Sequence, residues 1–101
     1  MKTIYLPNGF DTRGVPKPEH GDILVCITDR GEHKSLVSST NGDWLSVAWQ
    51  EGDELGLCGV SYDPKTETLS SSDIARRFPA GSFRDIVERL KEADMWTEGT
   101  R

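Results

Sequence analysis

The chain has 101 residues, of which 35% are hydrophobic and 29% are charged, and its formal net charge is −5. This composition predicts one soluble domain with a modest core rather than a disordered chain. The excess of carboxylates disfavours contact with phosphate backbones. The longest near-apolar run, Ile23 to Ile27, is much shorter than the roughly 20 residues that cross a membrane, and the first residues do not resemble a signal peptide. We therefore expect a cytoplasmic protein with neither a membrane nor a nucleic-acid partner.

The first 21 residues are predicted to form an edge strand and a long loop. Residues 2–6 alternate weakly between apolar and polar side chains. Prolines and glycines recur from Pro7 to Gly21, where they interrupt strand pairing and favour turns. Loops of this length often carry function or wrap the surface of a domain. We expect Phe10 and Val15 to attach this loop to the body of the protein.

Residues 22–70 carry five strand-like segments separated by turn signals, which predicts an antiparallel meander. Asn41-Gly42 is a hairpin signal, and the acidic stretch from Glu51 to Glu54 is a further turn. In the fourth segment, Gly56 and Gly59 indicate a bulge or a close approach of backbones. Cys26 and Cys58 lie inside apolar segments without a CxxC spacing. We expect them to be buried free thiols, and a disulfide between neighbouring strands is the alternative.

The order of strand and turn signals in this region resembles that of small SH3-like barrels. Such barrels contain a Gly-Asp strand entry, here Gly21-Asp22, and a tryptophan before a glycine turn, here Trp49 before Gly52. The resemblance covers about half of the chain and identifies no family. It implies a strongly curled sheet.

Residues 72–96 change to a helical period. Residues 73–78 are predicted to form a short helix that ends before Pro79, and residues from Ser82 to Trp96 a longer amphipathic helix with one apolar stripe. The predicted fold class is therefore α+β. It consists of an antiparallel, strongly curled (SH3-like) sheet of about five strands with a C-terminal helix-turn-helix-like corner packed on it, all within one domain of residues 1–101.

This helical corner matches a DNA-binding motif only in part. Pro79 stands where the turn glycine of a helix-turn-helix would fall, and the turn is about one residue too long. The second helix also exposes Asp85 and Glu88 among its arginines. A structural corner is favoured, and a DNA-binding regulator that uses the helical pair 73–96 is the alternative. That alternative would need one continuous basic face made of Arg76, Arg77, Arg84 and Arg89.

Catalytic chemistry is not indicated. His20 and His33 fall in predicted loops without further metal ligands at suitable spacing. No phosphate loop, dinucleotide fingerprint or nucleophile elbow is present in the sequence. We expect no enzymatic activity, no cofactor and no metal.

Binding to another protein is the favoured function. Tryptophans at surfaces are enriched in binding hot spots, and adjacent arginines clamp carboxylates. The long loop is expected to cover Trp44 and Trp96, and homodimerisation through an edge strand or the helix stays open. Small acidic chains without catalytic motifs are typical of inhibitors and accessory proteins carried by mobile elements. The expected contact surface involves the acidic hairpin tips with Trp44, or alternatively the charged outer face of the C-terminal helix. The expected partner-binding residues are Trp44, Glu51, Asp53, Glu54, Arg76, Arg77 and Arg84.

Overall fold

A computed structural model describes residues 2–71 and 74–98. These residues form one curled sheet, a 3-10 helix and an α-helix. The strands are β1 (Thr3–Phe10), β2 (Ile23–Thr28), β3 (Gly31–Asn41), β4 (Trp44–Glu51), β5 (Glu54–Asp63), β6 (Thr68–Ser71) and β7 (Arg76–Pro79). The 3-10 helix spans Ala80–Phe83 and α1 spans Arg84–Glu92.

Strands β2 to β6 follow one another as antiparallel neighbours, so the predicted meander is confirmed. The hairpins at Gly42-Asp43 and Gly52-Asp53 have two-residue loops. Gly42 and Gly52 adopt φ angles of 63° and 64°, which a glycine tolerates without strain. The curl of the sheet brings β1 and β6 into contact. The α+β class and a strongly curled, mostly antiparallel sheet are therefore confirmed.

The expected number of about five strands is too low: the predicted edge strand forms as β1 beside the five-stranded meander, and β7 is a further strand that was not predicted. β1 pairs in parallel with β2, from Thr3 beside Ile23 to Leu6 beside Cys26. The long loop begins only after β1 ends, and not at Pro7 as predicted. Pro7 is tolerated in this edge strand because it follows the last residue that pairs with β2, so its missing N–H removes no ladder bond.

The predicted helix-turn-helix-like corner is wrong, because its first helix does not form. Residues 76–79 are β7, which pairs with one half of β5 from Arg76 beside Leu57 to Pro79 beside Glu54. β6 pairs with the other half of β5 in the same direction. β6 and β7 are thus two parts of one interrupted edge strand. Residues 72 and 73, where the helix was expected to begin, lie outside the described residues.

Pairing with the free edge of β5 explains why the helix prediction failed. A helix of about six residues would leave most of its backbone N–H and C=O groups without intrahelical partners. The extended backbone of β7 instead pairs with a strand that is already in place. Within residues 74–98 the only α-helix is α1, so the pair of helices that the DNA-binding alternative invoked does not form there.

The sheet buries apolar side chains on both faces. The inner face of the curl holds the larger set, the inner core, and the helices cover the second set, the outer core. The inner core consists of Ile4, Leu6, Val15, Leu24, Cys26, Val37, Leu45, Val47, Val60, Tyr62 and Leu69. The outer core consists of Leu36, Ala48, Leu55, Val87 and Leu90.

The loop over residues 11–22 closes the inner core. Val15 is buried there, and its carbonyl oxygen accepts a 2.7 Å hydrogen bond from the Tyr62 hydroxyl. At the end of the loop the buried Asp22 carboxylate accepts hydrogen bonds of 2.9 Å from the backbone N–H groups of Lys2 and Glu19. The expected attachment through Val15 is confirmed, and Phe10 also packs against the inner core.

α1 ends in a Schellman motif, which directs the following residues back toward β4. Asp94 adopts a φ of 60°, and its N–H donates to the Lys91 carbonyl at 3.0 Å. The N–H of Met95 donates to the Leu90 carbonyl at 2.7 Å, as the motif requires. Within the described part of the chain, neither helix has the length and apolar character needed to span a bilayer.

Candidate functional site

An open groove of about 820 Å³ lies between the β4–β5 hairpin tip and α1, and we call it the hairpin–helix groove. Its floor is apolar because the outer core reaches the surface here. Val87 is buried in that floor, and Ala80 and Trp96 are half-buried beside it. The groove is lined by Gln50, Gly52, Asp53, Ala80, Gly81, Arg84, Val87, Glu88, Lys91, Trp96, Thr97 and Glu98.

Two exposed charges of opposite sign line the groove, one on the hairpin and one on the helix. Asp53 stands on the hairpin tip, and Arg84 is the first residue of α1. Neither side chain makes an ion pair or hydrogen bond with another described residue, in contrast to the paired charges nearby. Both groups are therefore available to a molecule that enters the groove.

Lys91 is held between two carboxylates at the other side of the groove. Its Nζ lies 3.3 Å from Oε2 of Glu98 and 3.3 Å from Oε2 of Glu88. The hydrogen bond with Glu98 raises the pKa of Lys91, burial opposes this rise, and Glu88 adds to it. The ammonium group is thus directed at the residues that follow Trp96.

Gln50 fixes those residues through their backbone. Its Nε2 donates to the Thr97 carbonyl at 2.7 Å, and its Oε1 accepts from the Thr97 N–H at 2.8 Å. The side-chain amide therefore occupies both hydrogen-bonding groups of one residue, as a neighbouring strand would. This pairing sets the position of the groove wall formed by residues 96–98.

The acidic and basic residues that the sequence singled out lie around the hairpin tip, but only some of them are unpaired. Asp53 and Arg84 line the groove. Glu54 forms an ion pair with Arg77 at 4.0 Å across the β5–β7 ladder. Glu51 accepts a 2.8 Å hydrogen bond from the indole N–H of Trp49, and Arg76 is exposed on β7.

Trp44 lies apart from these residues. It is the first residue of β4, and the acidic tip follows the last one, so about 23 Å of strand separates them. The expectation that the long loop covers Trp44 is wrong, because its side chain is 44% exposed. Its neighbours on the adjacent strands are Asn41 and Ser61, which carry no charge. Trp44 and the acidic tip therefore lie at opposite ends of β4.

The two histidines lie in different parts of the structure, and each contacts a neighbouring side chain. His20 lies in the loop as predicted, and its Nε2 is 2.7 Å from Nη1 of Arg89. His33 was also expected in a loop but lies on β3, because the turn before it uses only two residues. Its ring contacts Trp49 edge to face, with centroids 5.3 Å apart. No group of three potential metal ligands comes together within residues 2–71 and 74–98.

The cysteines both contribute to the inner core. Cys26 is a buried free thiol, as expected, and burial raises its pKa. A raised pKa keeps the sulfur protonated and unreactive. Cys58 is half-buried rather than buried, and its Sγ lies 3.4 Å from the Gly59 carbonyl oxygen.

Sequence reasoning missed two residues that shape the groove. Strand alternation places Gln50 on the same face as Ala48, which would have directed it toward the helix side. Its contact with Thr97, 47 residues away, has no local signal. The position of Lys91 beside Glu98 likewise has no local signal, because it depends on the Schellman motif. The long loop was expected to cover Trp96, but its side chain packs against the outer core instead.

The comparisons with family models, curated proteins and solved structures found no match to this chain.

Proposed function

We propose that this protein is a non-catalytic module that binds another protein, and that the hairpin–helix groove is its contact surface. The observation that carries the proposal is the apolar floor with a tryptophan, bordered by the unpaired charges of Asp53 and Arg84. Protein interfaces commonly combine an apolar centre that contains an aromatic residue with a polar rim. Binding itself would be the activity, as in an inhibitor or accessory protein.

The shape of the groove favours a protein over a small molecule as the ligand. Small-molecule pockets bury most of the ligand surface and are lined mainly by apolar side chains. This groove is open and is bordered by charged side chains on both α1 and the hairpin. A segment of a partner protein can lie along such a groove while the rest of the partner stays outside.

The test is a pull-down from nuclease-treated lysate of the source cell, made with matched charge-reversal variants. Asp53→Lys combined with Arg84→Glu should abolish recovery of a stoichiometric protein, because each reversed charge would oppose its partner group. The control is Asp29→Lys combined with Arg13→Glu, which reverses two exposed charges outside the groove and should keep the partner.

A photo-crosslinking amino acid then locates the contact. Placed at Asp53 it should capture the partner, and placed at Trp44 it should not. Recovery that survives reversal of the groove charges, or crosslinking from position 44 alone, would contradict the proposal. Recovery of nucleic acid as the sole bound molecule would contradict it as well.

A further inference from the structure

One wall of the groove is a short segment of the same chain, residues 96–98. Residues 96–98 follow the Schellman motif and lie along the end of β4 without forming a helix or strand. Each of the three residues is held by a different kind of contact. Trp96 packs against the outer core, the backbone of Thr97 pairs with Gln50, and the carboxylate of Glu98 pairs with Lys91.

These contacts discriminate between side chains to different degrees. The half-buried position of Trp96 suits a large aromatic side chain, because it fills space beside Val87. Gln50 contacts only the backbone of Thr97, so the central side chain is free to vary. The ammonium group of Lys91 requires a hydrogen-bond acceptor, and a carboxylate best neutralises its positive charge. Together they specify an extended segment with an aromatic residue, any residue, and an acidic residue.

We propose that residues 96–98 are an internal stand-in for such a segment of the partner protein. The inference rests on the proposed function and names the chemistry of the partner: an extended stretch with an aromatic residue two positions before a carboxylate. The partner segment would replace residues 96–98. Its aromatic residue would take the place of Trp96 in the apolar floor, its backbone would pair with Gln50, and its carboxylate would lie beside Lys91. The chain's own segment would then act as a competitor that lowers the apparent affinity for every partner segment by the same factor.

The test uses the full chain and a fluorescent peptide with the sequence Asp-Met-Trp-Thr-Glu-Gly, which copies residues 94–99. The receptor is the Trp96→Ala, Thr97→Pro variant, whose own segment lacks both the aromatic ring and the N–H that Gln50 accepts. Fluorescence anisotropy should show binding at least about tenfold tighter than to the unmodified chain, since the internal competitor is weakened. Adding Gln50→Leu to this receptor should remove most of that gain.

Matched peptides test the pattern. Replacing the glutamate of the peptide by glutamine should weaken binding several-fold, whereas replacing its threonine by serine should not. If the double variant is poorly folded by circular dichroism, Glu98→Gln in the full chain serves instead. That substitution leaves Trp96 in place and should still raise the affinity for the peptide, by a smaller factor.

The inference would be overturned if the peptide bound weakly and equally to the Trp96→Ala, Thr97→Pro variant and to the unmodified chain. Residues 96–98 would then be a packing element only. The inference would also be overturned by a captured partner that the peptide does not compete with and that Gln50→Leu does not affect, even though charge reversal at Asp53 and Arg84 abolishes its binding. In that last case the proposed function would stand.

Discussion

The indole of Trp49 on β4 covers Gly56, its directly opposite residue on β5. A Cβ built on Gly56 would lie 2.7 Å from Cζ2 of Trp49 and closer still to Cε2 and Nε1. The ring is fixed from two further sides, by the hydrogen bond of its N–H to Glu51 and by the edge of His33. The absence of a side chain at position 56 is therefore a condition for the packing of Trp49.

Gly56→Ala should destabilise the protein, because the added methyl group must displace the indole or the backbone of β5. Overpacking of this kind typically costs about 1–3 kcal/mol. Urea denaturation measures the change in the free energy of unfolding. The control is Gly81→Ala, since a Cβ there meets no atom within 4 Å, and we expect a change within about 0.5 kcal/mol. Equal effects at both positions would contradict the close contact with Trp49.

Asp22→Ala should also destabilise the protein. The Asp22 carboxylate is 2% exposed and accepts hydrogen bonds from the N–H groups of Lys2 and Glu19. Alanine would leave both donors without this acceptor, at a cost of about 1–3 kcal/mol. Asp29→Ala, in the exposed turn before β3, should shift the denaturation midpoint little. A tolerated Asp22→Ala would show that the other contacts of the loop, such as the Tyr62–Val15 hydrogen bond, are sufficient to hold it.

Asp94→Gly should stabilise the protein by roughly 0.5–1 kcal/mol. Asp94 has a φ of 60° at the end of α1, where glycine is unstrained and a negative charge opposes the helix dipole. Glu67 is the other non-glycine residue with positive φ among the described residues, at 54°, and it lies outside the helix. Glu67→Gly relieves the backbone without changing the charge at a helix end, so it should gain less. Thermal melting of the two variants compares them directly.

Stability should fall as the pH rises above about 9, the ordinary pKa of a thiol. Burial raises the pKa of Cys26, and burial followed by the charge of Glu67 raises the pKa of Tyr62. Both groups hold their protons more strongly in the folded chain than in the unfolded chain. Their contribution is therefore complete below the unfolded-state pKa and is lost as the pH rises through the folded-state pKa.

Urea denaturation at a series of pH values from about 7 to 10 tests this dependence. The loss of stability with pH should be shallower in the Cys26→Ala, Tyr62→Phe variant than in the unmodified chain, whatever the two substitutions cost at neutral pH. An unchanged slope would assign the alkaline loss to other groups.

Much of the sheet could be predicted from the sequence because its signals are local. Asn41-Gly42 and the alternation along β4 depend on residues within a few positions of one another. The significance of Gly56 was also visible, since a glycine inside a strand points to a close backbone approach. The length of β1 was not predicted, because Pro7 is compatible with a strand only where the parallel ladder has already ended.

The predictions that failed concern residues whose conformation depends on contacts with residues distant in the sequence. Residues 73–78 were predicted to form a short helix, but the free edge of β5 decides the conformation of residues 76–79. The groove could be predicted only in part for the same reason. Asp53 and Arg84 were recognisable as exposed charges, whereas the pairing of Gln50 with Thr97 follows from the way the chain returns after α1.

The chain's three tryptophans make the proposed contact surface directly measurable. Each indole N–H gives its own signal in a ¹H–¹⁵N spectrum, and Trp44 and Trp96 lie on different surfaces of the protein. On addition of the captured partner, the indole signal of Trp96 and the amides of Gly52 and Gly81 should shift while the indole of Trp44 stays in place. Shifts confined to Trp44 and Ser61 would contradict the assignment of binding to the hairpin–helix groove.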